Sequence, residues 1–416
     1  MEVLHLRCAG LDVHKDSVVA CVRLAEGGRV ERYVETFATT TSDLERLSAW
    51  LAGYGVTHVA MEATGVYWKP VWAVLCEADS LVLVLANAQH VKAVPGRKTD
   101  VNDATWLADL VAHGLIRPSF VPPMEVQALR DLTRTRKQLT RERASHVQRI
   151  DKLLQAANLK LGSVLSDIMG QSGRVVLDAL AAGEDDPGKL ADLVRTRVRA
   201  SRAELVEALR GRLASHGRLL LRLHLVQADS IDAAIAAIDQ EVAQRLEPFR
   251  DAVTRLTTMP GLSHVSASVV VSEIGFDMSR FPTPAHLVSW AGLCPRNDER
   301  AGKRRSTKLR HGAPWLKTLL VQAAWAAVRV KASYHNALFH RLKARRGPKK
   351  AIVAVAASML TAIHVMLQRR AAYRDLGADH FERAQQQRLA HRLTKKLQQL
   401  GFDVVLTQRA STTVPC

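Results

Sequence analysis

LRCAGLDV (residues 6–13), VVACVRL (18–24) and RVERYVET (30–37) follow one another near the start of the chain. The first and third alternate apolar with polar side chains, the period of a half-buried strand, and a polar turn at His14–Ser17 separates the first from the second. Three consecutive antiparallel strands are expected. Ser42 or Asp43 then caps a helix with Leu44, Leu47, Trp50 and Leu51 on one face. A strand at 57–62 (THVAME), a helix at 66–78 and a strand at 81–86 (LVLVLA) follow. A last helix from Asn102 to His113, stopped by Gly114, completes an α/β layer.

Pro118, Pro122 and Pro123 then break the chain and mark a boundary. From 124 to 160, Val126, Leu129, Leu132, Leu139, Val147, Ile150 and Leu154 recur at helical spacing, with Arg130, Arg134, Arg136, Lys137 and further arginines between them. That pattern predicts a long amphipathic helix with a basic outer face, of coiled-coil type. Helix resumes after Asp185–Gly188 and runs to about 255, with a break expected near Gln227–Ser230. A Pro–Gly turn opens 259–275 (MPGLSHVSASVVVSEIG), and a short helix is expected at 285–293. A basic loop at 296–312 (RNDERAGKRRSTKLRHG), helices at 313–330 and 350–368, and a polar helical tail from 380 with a mobile Thr/Ser-rich end complete the reading. The regions are therefore 1–120, 121–255, 256–370 and 371–416.

Charge narrows the function. The chain of 416 residues carries a net +19, but residues 1–120 hold 11 Lys+Arg against 14 Asp+Glu, and the remainder holds 48 against 26. The positive field therefore belongs to the later part, and a field of that size draws polyanions, phosphate backbones above all. Five scattered cysteines with no CxxC pair argue against a disulfide framework or a thiolate zinc site, and fit a reducing cytoplasm. No signal-peptide pattern is present at the N-terminus. Residues 351–368 carry no formal charge, yet Ser358, Thr361, His364 and Gln368 make them a buried helix rather than a membrane span.

Asp12 ends the first strand, Glu62 ends the fourth, and Asp100 and Asp103 stand at the start of the domain's last helix. Groups at strand ends of an open α/β sheet converge on one edge, and an i, i+3 pair on a helix faces one way. Carboxylates that close repel unless hard cations lie between them. Two Mg²⁺ ions about 3.5–4 Å apart, with Mn²⁺ as a substitute, would act on a phosphodiester. Singly, each residue also has a plain structural use: Asp12 as a turn former, Glu62 as an arginine's partner, Asp100 or Asp103 as a helix cap.

GLDVHKDSVVACV (10–22), MEATGVYW (61–68) and NAQHVKAVPGRKTDVNDATWLADL (87–110), with its KTDxxDA core, resemble the DEDD transposases of bacterial insertion sequences, a group that includes Piv-type DNA invertases. The resemblance implies an α/β RNase H-like (RuvC-like) N-terminal domain, a helical coiled-coil middle and a mostly α C-terminal domain. It implies that Asp12, Glu62, Asp100 and Asp103 are metal ligands and that Lys98 lies beside them, within reach of a phosphate. It covers the C-terminal part too, where MPGLSHVSASVVVSEIG, RFPTPAHLVSWAGLCPRND and AGKRRS are similar to the family's transposase domain. The PGxxxxxA start resembles a helix–hairpin–helix, with Ser263 where a second glycine is usual; a packed αα-hairpin is the equal alternative.

In this family a serine just before an AG(K/R) or GG(K/R) step is thought to form a phosphoserine link to the cut strand, with the metal centre completing the active site. Here the run is Asn297, Asp298, Glu299, Arg300, Ala301, Gly302, Lys303, Arg304. Arginine has no hydroxyl and stays cationic, so Arg300 cannot be that nucleophile. Three explanations stand: Ser306 substitutes from the same flexible basic loop, the copy is inactive, or the register is offset by a residue or two.

Lys303, Arg304, Arg305, Lys308 and Arg310, the run 341–350, and Arg130, Arg134 and Lys137 are the expected nucleic-acid contacts. Trp290, Trp315 and Trp325 read as core. The expected function is cutting and rejoining of DNA by a cytoplasmic, nucleoid-associated bacterial enzyme, without a membrane. The resemblance further implies a homo-oligomer, dimer or tetramer, and a structured guide RNA encoded by the element. The rivals are a RuvC-like nuclease or resolvase that only hydrolyses, and a catalytically inactive nucleic-acid-binding relative.

Overall fold

The computed structural model describes all residues except 1, 64, 88–90, 92–102, 196–197, 296–297, 301–302, 307, 310–311 and 406–416, and leaves aside the side chains of 298–300, 303–306, 384–385 and 387–388. The chain divides into two compact units, Met1–Val121 and Pro122–Cys416.

The first unit is built on a mixed five-stranded sheet. The strands are β1 (Arg7–Val13), β2 (Ser17–Glu26), β3 (Arg29–Ala38), β4 (His58–Glu62) and β5 (Val82–Ala86), in the order β3-β2-β1-β4-β5. β1 pairs antiparallel with β2 and parallel with β4, and β4 pairs parallel with β5. Gly27 and Gly28, at φ +56° and +81°, make the two-residue turn between β2 and β3, where positive φ at both positions matches the strand twist. Helices α1 (Thr41–Gly53), α2 (Trp68–Leu75) and α3 (Asp103–Ala112) complete the unit.

β1 is buried on both faces, so its alternation separates two cores rather than a core from solvent. Ala9, Leu11 and Val13 pack with Leu44, Leu47 and Leu51 of α1 and with Val71 and Leu75 of α2. Cys8 on the other face packs with Ala60, Ala86 and Leu107, Leu110 and Val111 of α3. The order of strands and helices in this unit is the one expected from the sequence, and each strand start lies within a residue of its expected place.

The second unit is helical. α4 (Met124–Ala156), α5 (Leu161–Val164), α6 (Gln171–Ala182), α7 (Pro187–Asp192), α8 (Arg202–Ala208) and α9 (Ser215–Arg245) form its first part. α10 (Arg250–Thr257), α11 (His264–Ile274), α12 (Pro284–Trp290), α13 (Pro314–Ala327), α14 (Tyr334–Arg346), α15 (Pro348–Arg369) and α16 (His380–Gln399) follow. A hairpin of β6 (Asp298–Arg300) and β7 (Lys303–Ser306) interrupts them.

α4 and α9 lie side by side and antiparallel, as the pairs Arg136–Asp239, Arg143–Asp232 and His146–His224 show. α9 runs unbroken through Gln227–Ser230, where a break was expected. Ala228 and Ile231 are buried along its inner face, and Asp229 accepts from the Arg174 guanidinium (2.8 Å) on α6. The polar cluster is thus a solvated, ion-paired face and not a turn. α15 is the one described helix long and apolar enough to cross a bilayer. It packs against α12, α13 and α14, and its fully buried His364 sets Nε2 2.8 Å from the Phe281 carbonyl. α14 was missed, because HRLKARR masks its buried Phe339 and His335.

Candidate active site

Register places the first two carboxylates. In the parallel β1–β4 pair, Cys8 stands beside His58, Gly10 beside Ala60 and Leu11 beside Met61. Asp12 and Glu62 each follow by one residue, at the carboxyl ends of neighbouring strands. Strand side chains alternate, so both share the face of Cys8, Gly10 and Ala60, the face that α3 covers.

Gly10 is what lets α3 lie there. A Cβ on Gly10 would stand 2.1 Å from the Ala104 carbonyl oxygen and 2.5 Å from the Ala108 nitrogen. Ala104 therefore meets the strand at Gly10, while the Ala108 carbonyl accepts from the Cys8 thiol (3.5 Å), so α3 runs antiparallel to β1. Its first residue, Asp103, comes to the same sheet edge as Asp12 and Glu62. Asp12 is partly exposed, with Oδ2 3.2 Å from His14 Nε2. Lys98 and Asp100 lie outside the described residues. Among the described residues, no three His, Cys, Asp or Glu side chains are grouped to hold a metal ion.

What surrounds this edge limits its chemistry. Burial pushes the Cys8 thiol up to about 12 and raises Cys21 as well, so both stay protonated and neither serves as a thiolate nucleophile. Beside the His14 imidazole, the donors there are carboxylate oxygens, hard ligands of the kind that Mg²⁺ takes. α3 is also anchored by ions: Asp109 accepts from Arg23 (2.9 Å) on β2 and from Arg32 (2.9 and 3.2 Å) on β3. Arg23 is buried. The signal for this anchor was an arginine inside the apolar run VVACVRL, which burial obliges to find an anion.

In the helical unit, the cations expected to meet nucleic acid divide. Arg134 forms a two-pronged pair with Glu273 of α11 (2.7 and 2.9 Å), and Glu273 has no exposed surface. Arg130 reaches the same carboxylate at 3.6 Å and donates to the Glu273 carbonyl; burial lowers its pKa to about 10 against the pull of Glu273. Lys137 makes no ion pair among the described residues. The acid inside VVVSEIG was the overlooked sign of this pairing. Lys308 is exposed, and Arg310 lies outside the described residues.

Lys303, Arg304, Arg305 and Ser306 form β7, not a flexible loop. Arg300 pairs with Lys303 next to the hairpin tip and Ser306 with Asp298 at its base, with a bulge beside Asp298. Ser306 is therefore about 7 Å along the hairpin from Arg300. Ser263 caps α11: its hydroxyl accepts from the Ser266 amide (3.3 Å), while Ser266 Oγ accepts from the Ser263 amide (2.7 Å). The serine thus does locally what a glycine at that place could not. Gly261 packs its α-carbon against α13, where a Cβ would stand 2.3 Å from the Ala323 carbonyl. Of the three tryptophans read as core, Trp290 and Trp315 are half-buried and Trp325 is exposed.

A hairpin-led sheet whose next two strands are parallel, with acids at the ends of β1 and β4, is consistent with the RNase H-like class. The family can be stated more closely. Residues 9–158 match the DEDD transposase family typified by IS110, described as "Transposase", and residues 253–340 match "Transposase IS116/IS110/IS902 family". The chain is 27% identical over 324 residues to a Pseudomonas aeruginosa protein named "Probable family 20 transposase", covering 76% of this chain and 85% of that one. It is 26% identical over 279 residues to "Putative transposase y4rJ" of Sinorhizobium fredii, covering 64% and 65%. This chain belongs to the DEDD transposase family of insertion sequences.

Proposed function

We propose that this transposase cuts and rejoins DNA strands of a mobile element, with Asp12, Glu62, Asp100 and Asp103 as its acidic centre. The observation that carries the reading is the β1–β4 register, which sets Asp12 and Glu62 side by side on the face that α3 enters with Asp103. Carboxylate oxygens are the donor type that a pair of divalent ions, Mg²⁺ or Mn²⁺, takes. Such ions, when bound, supply Lewis-acid stabilisation and an activated nucleophile at a phosphodiester. Asp12, Glu62 and Asp103, with Asp100 as the fourth, would hold that charge, and Lys98 would offer a cation to a substrate phosphate. Lys303, Arg304, Arg305, Lys308 and Arg310 serve the DNA backbone, and Ser306 is the hydroxyl closest in sequence to the missing serine.

Family resemblance supports a homo-oligomer of two or four chains, a structured guide RNA from the element, and a cytoplasmic, nucleoid-associated place of work. It also supports treating 121–255, 256–370 and 371–416 as separate regions of the helical unit. Arg300 favours a second reading, in which the copy binds DNA, or nicks it, without rejoining it.

The test is strand exchange on the element's own ends, with the flanking RNA present. Asp12→Asn and Glu62→Gln should each lower cleavage by at least about a thousandfold and leave DNA binding intact. Undiminished cleavage in both would sink the acidic centre. A covalent protein–DNA adduct in denaturing gels that disappears in Ser306→Ala supports rejoining through that serine. Nicks alone, or activity gained only in Arg300→Ser, support the second reading.

A further inference from the structure

A groove in the helical unit has no part in the acidic centre. It lies between the middle of α4, the first half of α11 and the start of α13, and encloses about 260 Å³. Val265, Val269, Leu319 and Trp315 supply its apolar lining, and Lys137 and Arg141 on α4 supply cations. Trp315 is held from the α4 side by two guanidinium groups, Arg134 at 5.8 Å and Arg141 at 5.4 Å from the ring centroid. The charge of Arg134 is answered by Glu273, whereas Lys137 and Arg141 have no ion-pair partner among the described residues. Two uncompensated cations thus flank an apolar slot with an indole in its wall.

We propose that this groove holds one unpaired nucleotide of a single strand of DNA, its base against Trp315 and the apolar wall and its phosphates on Lys137 and Arg141. The proposal rests on the DNA-processing reading above and adds where an unstacked strand is held. Charge selects the ligand: two cations at the rim without an ion-pair partner among the described residues call for an anion, and a nucleic-acid strand supplies several in a row. Apolar lining selects its form. A duplex keeps the faces of its bases stacked and offers only their edges with the sugar and phosphate, and the cationic rim alone would serve its phosphates; an unpaired base also offers a π-face to an indole or a guanidinium plane. Size agrees, since the volume is slightly below the roughly 300–1,000 Å³ of small-molecule pockets and suits one ring system rather than a base pair.

Fluorescence anisotropy of the full chain with labelled dT15, the matching RNA 15-mer and a 15-base-pair duplex tests this. Lys137→Glu/Arg141→Glu, at the rim and outside the Glu273 pair, should weaken dT15 binding at least about tenfold and leave duplex binding within about twofold. Trp315→Leu should weaken dT15 about tenfold, and Trp315→Phe, which keeps an aromatic face, should restore most of it. Irradiated 5-iodouracil in dT15 should cross-link to the peptide that contains Trp315. Equal losses for strand and duplex, unchanged dT15 binding, or tighter RNA binding with the same dependence on these residues would each overturn the assignment. Failure to bind any of the three probes would remove the DNA reading as well, whereas unchanged binding in the variants removes only the groove.

Discussion

Gly10 decides more at the level of single residues than any of the acids, because it controls whether α3 can deliver Asp103 at all. With backbone atoms of α3 at 2.1 and 2.5 Å from the position of a Cβ, no side-chain rotation can relieve a substitution. Gly10→Ala must push α3 off β1, at about 1–3 kcal/mol or more by the usual cost of overpacking. Thermal melting should fall by several degrees, and cleavage should fall with it although all four acids remain. Unchanged melting would show that α3 does not pack on β1 as closely as described. In the sequence this glycine looked like an ordinary part of an alternating strand. The acids at strand ends were legible from pattern and motif; the glycine that makes room beside them was not, since its partners lie about a hundred residues away.

Helix α4 is the element whose sequence was both easiest and hardest to read. Its length and apolar spacing follow from local preference, but which arginines face solvent depends on what packs beside it. Arg130 and Arg134 turn to a fully buried carboxylate on α11, and Arg136 and Arg143 to aspartates on α9. Glu273→Gln would remove the buried carboxylate that Arg130 and Arg134 share, a change that typically costs about 3–5 kcal/mol. Urea denaturation should show that loss, and replacing the set together by Arg130→Met, Arg134→Met and Glu273→Leu should recover most of it. If Glu273→Gln is neutral, the pairing contributes nothing to stability. DNA affinity is expected to change little in the triple variant, because the rim cations Lys137 and Arg141 remain.

At the scale of the whole molecule, the charge is divided as the chain is. The compact unit that ends at Val121 is slightly acidic, and the helical unit from Pro122 carries the excess of 48 basic over 26 acidic residues. Many of those cations are spent on internal pairs with aspartate and glutamate, so the field comes from the remainder. Binding to duplex DNA should still fall steeply with salt, by about a thousandfold between 50 and 200 mM if six phosphates are met. A shallow dependence, under tenfold over that range, would show that the basic unit does not engage the phosphate backbone.

Local pattern was enough to set the order of strands and helices in the first unit, the boundary at the prolines and the acidic strand ends, and short motifs pointed to the family, because strand and helix periods and turn residues are properties of short stretches. Folding in three dimensions settled the rest: the register that aligns Asp12 with Glu62, the glycine under α3, the anions that claim Arg23, Arg130 and Arg134, the unbroken α9, and the hairpin that takes in Ser306. Each of these depends on a partner distant in the chain. Burial makes an unpaired charge or a misplaced Cβ costly, and which partner stands close enough to relieve that cost is set only when the elements pack.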